Sequence, residues 1–253
     1  MPAHTIVLST HKGGTGKTVT AMALGAGLAR AGKTCLLIDL DPQGHTTLGL
    51  GVDLNDGAAT ICEFFHEPPV PLSRLIRDTH IPGLAIVPSH IRLARIAPSL
   101  YMRPKREELL QRGLHSLHQQ YHFIVIDCPP SLGVLTETAI AAADRLVIPC
   151  QMEARAADGL VDLLEVVSLI KGDDFDAWHI LLTKVDSRKS LTNHAVMAAL
   201  APWTQKMLKT IIPQSEPLNQ AQIERTDIFS FEPKSTGALA YEALTKEIIQ
   251  YGR

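Results

Sequence analysis

The stretch Ser9-Thr10-His11-Lys12-Gly13-Gly14-Thr15-Gly16-Lys17-Thr18 decides the fold. It follows the β-branched, apolar run Thr5–Ser9 and precedes a run rich in Ala and Leu. A glycine-rich loop between a strand and a helix lets backbone N–H groups converge on phosphate oxygens, and the helix N-terminus adds partial positive charge. Lys17 can reach the β- and γ-phosphates of a nucleotide, and the Thr18 hydroxyl can ligate Mg²⁺. The loop therefore predicts a nucleotide site.

Outward from this loop, short apolar runs rich in β-branched residues recur along the chain. They are Thr5–Ser9, Thr34–Asp39, Leu84–Pro88, Phe123–Asp127, Arg145–Pro149, Ile180–Thr183 and Thr210–Pro213. Most are apolar at successive positions, which is typical of strands buried on both faces of a parallel sheet. The helical patterns between them are Lys17–Ala31, Lys105–Gln120, Arg155–Lys171, Leu191–Ala201 and Thr236–Gln250. The alternation predicts an α/β fold with a doubly wound, mostly parallel sheet flanked by helices.

Composition narrows the class of protein. Of 253 residues, 45% are hydrophobic and 20% charged, a balance that argues against wholesale disorder. We expect one domain over residues 1–253, with the turn-rich stretch Asp53–Pro71 as an excursion over the surface. A net charge of −2 excludes a globally basic nucleic-acid binder but leaves a local basic patch open.

The cysteines and histidines favour structural roles over metal binding. The chain contains four cysteines, Cys35, Cys62, Cys128 and Cys150. None is close enough to another for a C-x-x-C pair, so we expect buried, reduced thiols in a cytoplasmic protein. His115, His118 and His122 are spaced along one face of a predicted helix, where we expect exposed or capping side chains.

Targeting segments are not expected. No apolar stretch approaches the ~20 residues of a transmembrane helix. Met1–His4 leads directly into a strand, without the pattern of a signal peptide.

The loop departs from the strict phosphate-loop pattern, because His11 stands at the first glycine position and Lys12 follows it. Lys12–Thr18 resembles the deviant Walker A motif of the ParA/MinD family of ATPases. The resemblance implies that Lys12 reaches across a dimer interface to the partner's nucleotide and acts in catalysis together with Lys17. A second cation near the transferred phosphoryl group stabilises charge in the transition state. The implied nucleotide-contacting residues are Lys12, Gly13, Gly14, Thr15, Gly16, Lys17, Thr18, Val19 and Pro213.

Two further segments carry the resemblance. Asp39–Gln43 resembles the D-x-D-P-Q element of ParA proteins, which implies that Asp41 positions or activates the attacking water and Asp39 supports the metal shell. Phe123–Pro130 resembles the Walker B strand, and by that match Asp127 holds Mg²⁺ through water. The other interpretation of Asp127 is a helix-capping or salt-bridged carboxylate. The implied metal residues are Thr18, Asp39 and Asp127.

The resemblance covers essentially the whole chain and is strongest to the short, Soj-like members, because only four residues precede the first strand. It implies a homodimer formed with ATP and Mg²⁺, slow hydrolysis, a ParB-like adaptor and non-specific DNA binding in the cytoplasm. The run Leu244–Arg253 has mixed charge and no Trp or Phe, so the membrane anchor of MinD-like members is not expected.

A basic segment is the candidate DNA surface. Arg74–Arg112 contains eight Lys or Arg and three Asp or Glu, so its net charge is +5. The candidate DNA contacts are Arg92, Arg95, Arg103, Lys105, Arg106 and Lys234. Short ParA proteins carry arginines after the Ile-Pro pair, where this chain has Gln214 and Glu216. The alternatives are solvated helix faces that bind no DNA, a protein cargo such as a secretion, chemotaxis or cellulose-synthesis complex, and a MinD-like membrane-recruited regulator.

Overall fold

A seven-stranded sheet organises the computed structural model, which describes residues 2–54, 57–153 and 156–251. Its strands are β1 (His4–Leu8), β2 (Cys35–Asp39), β3 (Arg77–Asp78), β4 (Leu84–Val87), β5 (Phe123–Asp127), β6 (Arg145–Gln151) and β7 (Trp178–Thr183). Their order across the sheet is β3-β4-β2-β5-β1-β6-β7. All pairings are parallel except that of the exposed edge strand β3 with β4. The doubly wound, mostly parallel α/β fold is confirmed.

Helices connect the strands and cover both faces of the sheet. They are α1 (Lys17–Arg30), α2 (His45–Gly49), α3 (Ile61–Phe65), α4 (Leu93–Leu100), α5 (Leu109–Leu114), α6 (Val134–Ala142), α7 (Ala156–Lys171), α8 (Ser190–Ala199), α9 (Glu216–Ile223), α10 (Ile228–Phe231) and α11 (Thr236–Tyr251). Short 3₁₀ segments lie at Leu72–Arg74, Arg106–Glu108 and Ala201–Lys206.

The central strands are buried on both faces, so the sheet separates two apolar cores. Successive residues of β1 alternate between them: Ile6 packs with α1, α10 and α11, and Val7 packs with α5, α6 and α7. On one face of the sheet, a buried hydrogen bond of 3.0 Å between Thr20 Oγ1 and the Tyr241 hydroxyl links α1 to α11.

Six of the seven predicted strands are present, but Thr210–Pro213 is not a strand. The chain touches the edge of β7 only at isolated points, where the amide of Ile212 donates to Leu182 O over 2.9 Å. Between these points the amides of Lys209 and Thr210 donate to the Glu247 carboxylate at 2.8 and 2.9 Å. A side chain of α11 therefore takes the donors that a strand would use.

The predicted helix Lys105–Gln120 is much shorter in the structure, where α5 ends at Leu114. Beyond that point the backbone forms turns, and the amide of Ala3 donates to His118 O over 2.6 Å. The histidines therefore do not share one helix face. His122 Nδ1 instead lies 2.7 Å from Thr34 Oγ1, and within the described residues none of the three histidines belongs to a cluster that could hold a metal ion. The first residue of another predicted helix, Arg155, lies outside the described residues.

The stretch Asp53–Pro71 is not wholly a surface excursion. Within it, α3 buries Ile61, Cys62 and Phe65 in the core, while residues 55 and 56 lie outside the described part. Thr60 caps α3, and the carboxylate of Glu63 accepts the Thr60 amide at 2.6 Å. This T-x-x-E capping box is readable in the sequence as the start of a helix.

All four cysteines are free and buried, as predicted. Burial raises the pKa of the Cys150 thiol to about 11, so these groups are neutral near pH 7. Across the described ranges, no helix combines the length and apolar character needed to cross a bilayer.

A close approach of α1 to α11 yields a stability prediction. A Cβ at Gly27 would lie 3.2 Å from Thr245 Cβ and closer still to its hydroxyl. We expect Gly27→Ala to lower the free energy of unfolding by about 1–3 kcal/mol through overpacking, although alanine favours helix by up to about 1 kcal/mol. Gly159→Ala in α7 is the matched control, because its Cβ would meet ordinary contacts of 3.8 Å or more. Urea denaturation that shows Gly27→Ala to be as stable as Gly159→Ala would contradict this packing.

Candidate active site

The glycine-rich loop lies at the carboxyl edge of the sheet, where β1 ends beside β5 with Leu8 in register with Asp127. Gly16 begins α1 with a φ of 93°, a left-handed conformation that side chains other than glycine rarely adopt. Open space surrounds the backbone at Gly13 and Gly14, since no atom lies within 4 Å of a Cβ built there. The loop thus presents an unobstructed concave backbone before a helix N-terminus, which suits a phosphate.

The two lysines of the loop occupy different environments. Lys17 is buried, and its Nζ donates to Lys12 O over 3.0 Å. Burial lowers the pKa of Lys17, and the nearby Asp127 carboxylate opposes this effect. Lys12 lies on the surface, where its Nζ is 2.9 Å from Glu153 Oε2 and its side chain is 39% exposed. Lys17 can therefore serve this chain's own phosphate site, whereas Lys12 is accessible to another molecule.

The residue before Lys12 is also tied to the following crossover. His11 Nδ1 lies 2.8 Å from Asp162 Oδ2 of α7. The hydrogen bond from Lys12 lowers the pKa of the Glu153 carboxyl, so Glu153 is ionised near neutral pH. Both pairs are exposed to solvent and weak, which allows them to exchange partners.

Three carboxylates converge beside the loop because β2 and β5 end in register, Asp39 opposite Asp127. Asp39 is fully buried, and it accepts the Asp41 amide at 3.1 Å and the amide and hydroxyl of Thr47 at 2.9 and 2.7 Å. Burial and the adjacent Asp127 carboxylate raise the pKa of Asp39, against the lowering effect of the bonds from Thr47. Asp41 lies just beyond, with its Oδ1 accepting the Gln43 amide at 2.9 Å.

Asp127 is held by hydroxyl groups. Its Oδ2 accepts from Thr18 Oγ1 at 2.8 Å and from Thr46 Oγ1 at 2.6 Å. Burial raises the pKa of Asp127, and these two bonds and Lys17 lower it. Its Oδ1 is buried and has no hydrogen-bond partner among the described residues. Within the described ranges, Asp127 thus accepts from side-chain hydroxyls and not from helix amides, so it is not a helix cap.

The donor set fits Mg²⁺. Asp39, Asp41 and Asp127 bring three carboxylates to a buried edge with Lys17 as the adjacent cation. Oxygen ligands and uncompensated negative charge are what a hard divalent cation requires. The unpartnered Asp127 Oδ1 and the Thr18 hydroxyl would face that cation.

A cleft of about 250 Å³ opens beside the loop and suits a nucleoside. Val19, Ile212 and Pro213 give it apolar walls, and Lys184 and Asn193 give it polar groups. The hydroxyl of Thr183, at the end of β7, donates to Thr15 O over 2.7 Å and fixes the loop to this cleft. Val19 and Pro213, both predicted nucleotide contacts, line it together.

The candidate DNA contacts do not form one free basic face. Four of them are paired with acids: Arg92 with Glu63 (3.0 Å), Arg103 with Glu67 (3.3 Å), Lys105 with Glu108 (3.7 Å) and Arg106 with Glu137 (3.3 Å). Arg95 and Lys234 have no ion-pair partner within the part of the chain that the structure describes.

Comparison of the chain with known proteins places it in a family of nucleotide-binding proteins. Residues 3–180 match the family model described as an AAA domain. The chain is 37% identical over 250 residues to the sporulation initiation inhibitor protein Soj of Bacillus subtilis, covering 98% of each chain. It is 36% identical to the chromosome partitioning protein ParA of Myxococcus xanthus, covering 97% of this chain and 87% of that protein. The chain belongs to the ParA/Soj family of ATPases.

A solved structure with the same fold contains a bound nucleotide and a metal ion. Cobyrinic acid a,c-diamide synthase of Mycobacterium smegmatis, with a bound ATP analogue and magnesium, superposes with a TM-score of 0.83 at 30% identity. The alignment covers 98% of this chain and 95% of that one. The present chain is an ATPase of the ParA/Soj type, and its fold holds the site described above. Since that relative is named a synthase, fold alone does not fix the cellular role.

Several residues of the site were not predicted from the sequence. Glu153 and Asp162 follow β6 in no recognisable motif, so only the folded chain places them beside His11 and Lys12. Thr46 and Thr47 lie directly after the Asp39–Gln43 element, and their hydroxyls are a signal that could have been used.

Proposed function

We propose that this chain is a partitioning ATPase that dimerises with ATP, binds DNA without sequence preference and is switched off by hydrolysis. The observation that carries the proposal is the separation of the two lysines, Lys17 buried at the chain's own phosphate site and Lys12 on the surface. Full-length similarity to Soj and ParA proteins supports the partitioning role. We place the whole chain, residues 1–253, in one ATPase domain that acts in the cytoplasm with a ParB-like adaptor.

The residues take distinct roles in this proposal. Backbone amides of Gly13–Thr18 and the Lys17 ammonium bind the phosphates. Thr18, Asp39 and Asp127 would hold Mg²⁺, which when bound neutralises phosphate charge. Asp41 orients the attacking water, and Lys12 leaves Glu153 to stabilise transition-state charge at the partner's site.

Asp41 separates binding from turnover. We expect Asp41→Ala to bind ATP normally and to accumulate as a dimer, while hydrolysis falls by about 10²–10⁴-fold, the range for loss of a residue acting on the reacting proton. Sedimentation velocity and phosphate release measure the two properties. Asp41→Asn, which keeps the side-chain volume, should behave in the same way.

Lys17→Ala is the contrasting control, since ATP affinity should fall at least ~10-fold with the loss of a charge-assisted contact. Asp41→Ala that binds ATP and stays monomeric would contradict the dimer mechanism. Lys17→Ala with unchanged MgATP affinity in calorimetry would contradict the assignment of the phosphate site.

DNA binding should rest on the unpaired cations. Each phosphate contact contributes about −0.9 to the slope of log K against log salt, and two subunits double the contribution. We therefore expect Arg95→Ala or Lys234→Ala to flatten the slope of the ATP-bound dimer by about 1.8. Lys246→Ala, whose cation is paired with Glu242 on α11, is the matched control and should leave the slope unchanged.

The pairing of Arg92, Arg103, Lys105 and Arg106 with acids reduces the free basic surface, and the alternative function is the positioning of a protein cargo. If the ATP-bound protein does not bind DNA even at low salt, the protein-cargo function is the correct one. A slope that does not change in Arg95→Ala and Lys234→Ala would place the DNA surface elsewhere.

A further inference from the structure

Thr46 provides a second buried hydroxyl at the carboxylate of β5. It lies in α2, is fully buried, and donates to Asp127 Oδ2 over 2.6 Å. Thr18, at the start of α1, donates to the same oxygen over 2.8 Å. The carboxylate is thereby held from two different helices.

The two bonds saturate one oxygen and leave the other open. Oδ1 of Asp127 is buried and has no partner among the described residues, which is costly unless something else fills that role. A carboxylate that is fixed through one oxygen can accept a hydrogen bond from metal-bound water through the other.

The position of Thr46 links this carboxylate to the rest of the site. α2 begins one residue after Gly44, at the end of the segment that carries Asp39 and Asp41. The next residue, Thr47, donates to Asp39 from the same helix. Displacement of α2 would therefore disturb both buried carboxylates at once.

We propose that Thr46 is a positioning residue for Mg²⁺-dependent nucleotide binding, acting by fixing the orientation of the Asp127 carboxylate through Oδ2. The inference rests on the nucleotide function proposed above. It predicts that loss of the Thr46 hydroxyl weakens the contribution of the metal while leaving the phosphate loop itself intact.

The test is calorimetric titration of the full chain with ADP, in EDTA and in saturating Mg²⁺, with the ratio of the two affinities as the readout. Thr46→Val should reduce the enhancement by Mg²⁺ ~10-fold, the effect of losing one hydrogen bond to a charged group, and should change the EDTA affinity less than twofold. Thr46→Ser should restore the enhancement. Should Thr46→Val fail to fold in a melting experiment, Thr46→Ala, which places no methyl group against the carboxylate, gives the same measurement.

Thr20→Val is the matched control. It removes another buried threonine hydroxyl, the one bonded to Tyr241 at 3.0 Å, and should leave the Mg²⁺ enhancement unchanged. In an Asp127→Asn background, Thr46→Val should add no further loss, because the two residues act as one unit.

Three results would overturn the inference: an unchanged enhancement in folded Thr46→Val, an equal loss of affinity in EDTA, or a failure of Thr46→Ser to rescue. In each of these the unaltered chain still binds ADP. Absence of ADP binding by the unaltered chain would instead remove the nucleotide function and this inference with it.

Discussion

The site depends on the burial of carboxylates at the carboxyl edge of a parallel sheet. β2 and β5 end in register, so Asp39 and Asp127 lie side by side at a point without solvent, and Asp41 follows two residues later. Like charges so placed are unfavourable unless hydrogen bonds and cations compensate them. The hydroxyls of Thr18, Thr46 and Thr47 and the ammonium of Lys17 supply part of that compensation, and under the proposed function a bound divalent cation would supply the rest.

The elements around the site are tied to these carboxylates and to the loop by hydrogen bonds. α2 is a single turn whose two threonines contact the two buried carboxylates. The hydroxyl of Thr183 fixes the opposite side of the loop through Thr15 O. The loop is thus fixed on both sides, while Lys12 keeps only an exposed pair with Glu153. Lys17 is firmly held, which suits a residue that binds phosphate within its own subunit. Lys12 is loosely held, which suits a residue that exchanges Glu153 for another partner.

Much of the fold could be predicted from the sequence, because strands buried on both faces read as unbroken apolar runs and the loop between β1 and α1 has a specific pattern. Thr210–Pro213 has the same apolar composition, yet Glu247, distant in sequence, takes its amide donors. Lys105–Gln120 looks helical, but the N-terminal segment takes the carbonyl of His118. The contact of Glu153 with Lys12 is likewise a tertiary contact that no local pattern encodes. The net charge of Arg74–Arg112 could be counted from the sequence. Its ion pairs could not be predicted, because they depend on the tertiary structure.

The central claim is that Lys12 completes the partner's site, and mixing two inactive variants tests it most directly. Lys12→Ala and Asp41→Ala are combined in equal amounts before ATP is added, so that mixed dimers form. In each mixed dimer, the site of the Lys12→Ala subunit keeps its own Asp41 and receives Lys12 from the Asp41→Ala subunit. Random association makes half of the dimers mixed, and each mixed dimer has one complete site out of two. The rate of hydrolysis should therefore recover to about a quarter of that of the unaltered protein. If the mixture hydrolyses ATP no faster than either variant alone, although sedimentation shows that mixed dimers form, Lys12 acts within its own subunit and the account is wrong.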